Sequence, residues 1–565
     1  MRFSGSLPPA VFCGRRRQSP FMSPPAQHFR APLLWLLLPL MAGLVAAQFW
    51  PLPGAGPWWL GLLALAAILT AGATARLSRP GAWQVAILSG SAVCGFLLLH
   101  LRYPYLQESS QLPPREVTLE LKVTQTFPSA PSSRNLSGLA IITDATADER
   151  LHGRRIYFSA IRRLGPPPQR SGVYVVQGVL EPLAADGSSF DDYLANVGVR
   201  QRFTRARVLT VVAPPGRFVR FCNAADRRLQ AILGHGLETH PAPRSLYRAM
   251  LLGEKAVLSP DQQNAFMRSG TFHIFSISGL HVMIIAGAMQ TLLRWLRVPR
   301  RAAVLVALPV LWLYVQITGG SSPAMRAFLM IAFLLGSKVF RLPGNPLAAL
   351  VASAVVTLLL DPLQLFSTGF QMSYAVVTAL IVMGAPLSER WQARWKPFAM
   401  LPLSSWRWWH QSIDRRGRSL VGSLAAGWTA FLASTPAGIG FFGLFSPGSL
   451  LANLIIIPLS NLIIQTGFLS LVVGLAGLTW LSGVLNRVAA QVIVFTDWLL
   501  QAGVDLPGVY FTAMFRTPWL APASLALMTA AMLAGTAGRW SGRYGGYWLP
   551  VIVLLLLVVF GVKFG

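Results

Sequence analysis

The sequence predicts a polytopic α-helical membrane protein of about 13 spans, with a small extracytoplasmic all-β OB-like barrel inserted after the third span. Three observations carry that expectation. Hydrophobic residues make up 53% of the 565-residue chain and charged residues only 12%, against the roughly 25% charged of a soluble globular domain. Apolar stretches near the ~20 residues that cross a ~30 Å hydrocarbon core recur along most of the length. They cease after residue 101, and residues 102–216 show period-two alternation instead.

Arg15, Arg16 and Arg17 lie in a basic tail, 1–30, ahead of an apolar run that starts at Ala31 and ends in Val45-Ala46-Ala47. That run resembles a signal peptide. Its length, and a second apolar run soon after it, favour an uncleaved first span. Spans at 31–50, 58–75 and 83–101 form the first membrane unit, 31–101. In the insert, Val117, Leu119, Leu121 and Val123 alternate with polar residues, and alternation returns at 139–143, 153–160, 172–181 and 199–212. Five short strands, with a short helix at Phe190–Val197 between the last two, suit an OB-like barrel better than a sandwich. Residues 217–270 read as amphipathic helices at the membrane surface, with Arg220, Arg227, Arg228, Arg244 and Arg248 among leucines and aromatics. A membrane core, 271–482, follows with spans at 271–293, 302–318, 324–340, 346–360, 369–386, 419–435, 448–461 and 463–482. The remainder, 483–565, reads as an amphipathic helix and two last spans, 517–536 and 547–563.

Charge distribution orients these spans. Arg76 and Arg79, Arg294 to Arg301, Lys338 and Arg341, Arg390 to Arg418, and Arg539 and Arg543 fall in loops of one parity, whereas 51–57 and 361–368 carry only Asp361. Basic loops stay in the cytoplasm, so the N-terminus is expected inside and the barrel outside. The net charge is +29. Topology and lipid contact explain much of it, yet residues 102–250 hold 20 Lys and Arg against 12 Asp and Glu on the side where topology asks for no excess. A polyanionic partner is one explanation. Cys13, Cys94 and Cys222 suggest no disulfide framework.

Four constellations place polar or helix-breaking residues at membrane depth, where they are costly unless they face protein or water. The first, Ser269 to His281, sets Ser278 and His281 three apart on one helical face, with Gly279 between them. Helix-locking hydrogen bonds, a polar pathway and an intramembrane serine hydrolase are the competing readings, and no acidic residue lies nearby to support the last. The second, Thr318 to Arg326, combines Gly319, Gly320 and Pro323 with Arg326 near a helix N-terminus, a candidate anion contact or an interfacial turn. The third is Asp361-Pro362 with Ser367 to Tyr374, which sets Gln371 inside a span. The fourth, Ser434 to Phe442, with Ser446-Pro447, Asn453 and Pro458, reads as broken backbone. Five tryptophans with basic residues in the loop 387–418 read as an interfacial anchor. There is no Walker A sequence, no HExxH and no histidine pair with acidic neighbours. No catalytic residue, cofactor or metal site is therefore expected.

Taken in order, Gly270-Thr271-Phe272-His273, Ser278-Gly279-Leu280-His281-Val282, Pro323-Ala324-Met325-Arg326-Ala327, Asp361-Pro362, Gly369-Phe370-Gln371-Met372-Ser373-Tyr374, Asn453 and Pro458 resemble the membrane core of the ComEC family of competence proteins. The insert, including Phe190-Asp191-Asp192-Tyr193-Leu194, is similar to that family's external OB-like domain, and the likeness covers roughly 31–480. The resemblance implies a bacterial inner-membrane channel that passes one DNA strand, pulled by a separate cytoplasmic ATPase and fed by an external DNA receptor. Contact with single-stranded DNA would fall on Ser278, Gly279, His281, Pro323, Arg326, Gln371 and Asn453 along the path, and on Arg154, Arg155, Arg162, Arg163, Arg200, Arg202 and Arg205 of the barrel. Longer members carry a metallo-β-lactamase-like domain, whereas no HxHxDH-type sequence occurs here. A separate nuclease, delivery of single strands or another role altogether is then expected. The family's paired insert cysteines are not evident. Export of another solute or polymer is the alternative function.

Overall fold

The computed structural model describes residues 31–50, 80–107, 113–127, 133–144, 149–183, 189–254, 260–274, 279–342, 344–517, 519–541 and 546–565. The basic tail, the span expected at 58–75 and Ser278 lie outside the described residues.

The insert closes into a five-stranded barrel of β1 (Arg115–Thr126), β2 (Asn135–Asp144), β3 (Arg155–Ile161), β4 (Val173–Pro182) and β5 (Gln201–Ala213), in spatial order β1-β2-β3-β5-β4. All pairs are antiparallel except β3 with β5, which run parallel with Tyr157 opposite Arg202. Period-two alternation is what drives closure. Leu119, Leu121, Ile142, Ile156, Tyr174, Val176, Phe203 and Val208 point inward into one core, each contributing about 1.5–3 kcal/mol on burial. The expected short helix is present as Ser189–Asn196 between β4 and β5.

The rest is helical. Before the barrel come α1 (Leu34–Phe49) and α2 (Pro80–Arg102), and the barrel's own helix is α3 (Ser189–Asn196). After it follow α4 (Arg217–Gly234), α5 (Pro241–Leu252), α6 (Pro260–Arg268), α7 (Gly279–Trp295), α8 (Arg300–Ile317), α9 (Ser322–Val339), α10 (Pro346–Leu360), α11 (Thr368–Ala379) and α12 (Ala385–Arg394). The chain ends with α13 (Trp408–Phe442), α14 (Ser449–Leu475), α15 (Thr479–Val504), α16 (Leu520–Ala537) and α17 (Leu549–Leu556). Among the described residues, seven helices are long and apolar enough to cross a membrane, and three shorter apolar ones accompany them. This is a membrane protein.

Several expected boundaries are corrected. The spans at 448–461 and 463–482 are instead one 27-residue helix, α14, which runs through Pro458, and α15 follows where an amphipathic segment was expected. Likewise 434–442 is not broken, because α13 continues through Pro436 and stops only at Gly443, whose φ of 64° is the left-handed conformation that ends helices. Proline removes one backbone bond of a helix, and neighbouring helices and hydroxyls make good that loss in membrane bundles. Beside Pro436, Thr435 donates its hydroxyl to the Phe431 carbonyl at 2.7 Å, within its own helix. The loop 387–418 is largely helical too, divided between α12 and the start of α13, where Gly417 leaves room for Trp395.

Short strands Leu444–Phe445, Phe511–Phe515 and Val562–Phe564 gather three distant connections into one small sheet. Helices α4 and α5 dock on α14 and α15: Asn486 donates to the carbonyls of Ile232 at 2.7 Å and His235 at 3.0 Å, and Gly467 admits Leu251. Beside this joint Gln230 donates to Asp226 at 2.7 Å, while Arg248 pairs with Glu254 at 3.1 Å. Burial, reinforced by Glu254, pushes the Asp226 carboxyl up to about 6.

Candidate functional site

Arg326 sits one turn into α9, and its side chain is 2% exposed. Pro323 occupies the first turn of that helix, where its missing N–H costs nothing. The guanidinium donates through Nη1 to Ser322 Oγ at 2.7 Å and through Nη2 to the carbonyl of Gly369 at 2.8 Å. Its Nε is buried without a hydrogen-bond partner. Gly369 suits this approach, since a Cβ there would stand 3.3 Å from Nη2 and press the guanidinium back by a few tenths of an ångström. The second and third constellations thus form one site.

From Arg326 a continuous hydrogen-bonded chain leads to the barrel. Ser322 donates to Gln364 Oε1 at 2.6 Å, and Gln364 Nε2 donates to Asp361 Oδ2 at 3.2 Å. Tyr103, just past α2, donates to Asp361 Oδ1 at 2.9 Å. Arg155 on β3 donates to the Tyr103 hydroxyl at 3.2 Å and to the Val197 carbonyl at 2.8 Å. Burial pushes the Tyr103 hydroxyl up, against the pull of Arg155, so it stays a donor. A second contact, from Arg170 to the Gly319 carbonyl at 3.1 Å, ties the β3–β4 loop to the turn before α9. The barrel therefore rests on the connections 318–321 and 361–367.

Gly279, at the start of α7, packs on Ala327 of α9, where an added Cβ would lie 3.7 Å from the Ala327 methyl. His281 follows on the same helix, fully buried. Gln371, on α11, donates to the Leu365 carbonyl at 3.1 Å, while its Oε1 is buried without a partner. Asn453 Oδ1, on α14, is likewise buried and unpartnered. The fourth constellation meets the first rather than Arg326: Ser446 donates to the Arg268 carbonyl at 3.0 Å, and Gly270, at φ 71°, abuts Ser449. Buried polar atoms without partners are few in native structures and mark places where water or a ligand completes the bonding. Here Arg326, Gln371 and Asn453 each carry one.

The seven barrel arginines fall into different environments. Arg154 is buried, donating to the Arg150 carbonyl at 2.7 Å with its guanidinium over the Tyr105 ring. Arg155 joins the chain described above, and Arg202 is ion-paired with Asp191. Arg162 is half-buried, and Arg200 donates to the Leu106 carbonyl at 3.3 Å. Arg163 and Arg205 are exposed. Sequence reasoning missed a further feature of the barrel. Phe127, Tyr157, Phe190 and Tyr193 form one aromatic cluster with ring centroids 5.5–6.4 Å apart, Phe190 being 41% and Tyr193 39% exposed. They come from the β1–β2 connection, β3 and the β4–β5 connection, the surface on which OB barrels hold oligonucleotides. The spacing of Phe190 and Tyr193, three apart on a helix, was the available signal.

Comparison with known proteins follows the same lines. The chain is 31% identical over 142 residues to ComE operon protein 3 of Bacillus subtilis, covering 25% of this chain and 18% of that protein. It is 22% identical over 338 residues to Recombination protein 2 of Haemophilus influenzae, covering 57% and 39% respectively. It is 34% identical over 149 residues to Competence protein ComA of Neisseria gonorrhoeae, covering 24% and 21%. The chain thus matches less than half the length of each of these relatives. No solved structure matches it. The family model described as Competence protein matches residues 250–540, just over half of the sequence, and takes in α6 to α16 with Arg326, Gly369 and Gln371. The chain belongs to the competence protein family.

Proposed function

We propose that this protein is an inner-membrane channel for the uptake of single-stranded DNA during natural transformation. The observation that carries the reading is Arg326: a guanidinium buried among membrane helices, with no acidic partner among the described residues, one nitrogen unsatisfied, and a hydrogen-bonded chain running from it to a basic barrel. A buried cation lacking a carboxylate is costly. A passing phosphodiester relieves that cost while it is present. Because the site offers one charge and not several, it holds each phosphate weakly enough to release it to the next.

In this reading the barrel lies outside and the N-terminus in the cytoplasm. Arg163, Arg205 and the aromatic cluster receive the strand, phosphates on the guanidinium groups and bases on the rings. Gln371 and Asn453 present amide oxygens along the path, with Pro323, Gly279 and His281 fixing the helices that frame it. No residue is assigned a catalytic role. A cytoplasmic ATPase, an external DNA receptor and a separate nuclease are the proposed partners, and the bilayer is the solvent.

The test is deletion of the gene in a transformable host, scoring uptake of labelled DNA into the cytoplasm. Loss of uptake with normal surface binding of DNA is expected. Unchanged uptake refutes the proposal and favours export of another solute.

A further inference from the structure

We propose that the ends of α7, α8 and α9 remote from the barrel form a binding site for the headgroup of an anionic phospholipid. A cavity of about 640 Å³ opens there between the three helices, lined by Arg294, Arg300, Arg301 and Lys338 over an apolar floor that includes Val304 and Val339. Among the described residues no carboxylate lines it. None of the four cations has an ion-pair partner among the described residues. Four like charges around one cleft repel one another, and the repulsion is strong beside a low-dielectric interior. A phosphate group seated among them removes it.

Topology alone asks only that cationic residues lie in the connections on one side of the membrane. It does not ask that cations from three helices converge on a cavity. The surroundings indicate a lipid and not a nucleic acid as the occupant. Trp295, 81% exposed, and Phe340, 76% exposed, directly follow the lining residues Arg294 and Val339 at the ends of α7 and α9. Such rings settle at headgroup level with their apolar faces toward acyl chains. Basic pockets between membrane helices with this composition take diphosphate or monophosphate lipid headgroups. A bridging headgroup would also fix the spacing of α7 and α9, which carry Gly279 and Arg326 at their other ends.

Native mass spectrometry of the full chain, purified in detergent with equal amounts of synthetic cardiolipin and phosphatidylcholine, tests this. Cardiolipin is expected to be retained at least tenfold over phosphatidylcholine. The combined variant Arg294→Gln, Arg301→Gln, Lys338→Gln should lose that preference, and Arg294→Lys with Arg301→Lys should keep it. No preference in the wild-type protein, a measurement that needs no variant, overturns the proposal. So does a preference that survives in the glutamine variant, or a single-stranded oligonucleotide whose binding the glutamine variant abolishes while its lipid retention is unchanged.

Discussion

Replacing Arg326 by methionine separates a conducting role from a packing role. Methionine keeps the volume and the flexible stem and removes the charge. Two charge-assisted hydrogen bonds are lost, to Ser322 Oγ at 2.7 Å and to the Gly369 carbonyl at 2.8 Å, worth about 1.5–3 kcal/mol each. Against that loss, burying a guanidinium that has no carboxylate partner costs several kcal/mol, so exchange for an apolar residue of similar size is often near neutral. Stability is therefore expected to change by no more than about 1–2 kcal/mol, and membrane abundance by little. Transport is another matter. If a phosphate takes up the unsatisfied Nε, one charge-assisted contact of about 1.5–3 kcal/mol disappears, which corresponds to a roughly 10- to 150-fold fall in transformation frequency. The assay is transformation by marked DNA alongside an immunoblot of the membrane fraction. Lysine at 326 should give intermediate frequency, because an ammonium keeps the charge without the planar fork that reaches both acceptors. Wild-type frequency in the methionine variant refutes the reasoning, as does a loss that merely follows a fall in protein abundance.

Three further outcomes are expected. Tyr103→Phe breaks the chain between Asp361 and Arg155, leaving both short of a partner, and should destabilise the barrel's seating by about 1–3 kcal/mol, read as faster proteolysis of the barrel in the purified protein. Phe190→Ala with Tyr193→Ala should weaken binding of a single-stranded oligonucleotide to the purified protein at least tenfold at fixed salt, since each stacked base contributes about 1–3 kcal/mol; unchanged affinity would remove the cluster from the proposal. Asp226, held up to about 6, binds its proton more tightly in the folded state than in the unfolded chain. Stability from this group is then complete below its ordinary range near 4 and is lost as pH rises through about 6, by roughly 1–2 kcal/mol once its partial exposure is discounted, and Asp226→Asn should flatten that part of the pH profile of thermal unfolding.

How much was legible beforehand follows from the range of the forces involved. Alternation at Val117, Leu119, Leu121 and Val123, and the apolar runs on either side of the insert, record which solvent each segment meets, and that is written residue by residue. The barrel, its short helix and the apolar helical character of the rest were readable for that reason. Pro436 and Pro458 misled, because a proline's local preference is to interrupt a helix, while its actual effect depends on neighbours that pack around the freed carbonyl. The site was visible only as fragments. Arg326 and Gly369 are 43 residues apart, and nothing local relates them.

From the sequence alone came the membrane character, the inserted barrel, the polar residues at depth and the motif order of the family, all properties of solvent preference and short-range pattern. The tertiary structure alone decided that Arg326 bonds to Gly369, that Tyr103 and Asp361 connect it to Arg155, and which barrel arginines are buried and which exposed. Those outcomes depend on where helices and strands distant in the chain are packed together, and a hydrogen bond reaching about 3 Å is settled only once that packing is complete.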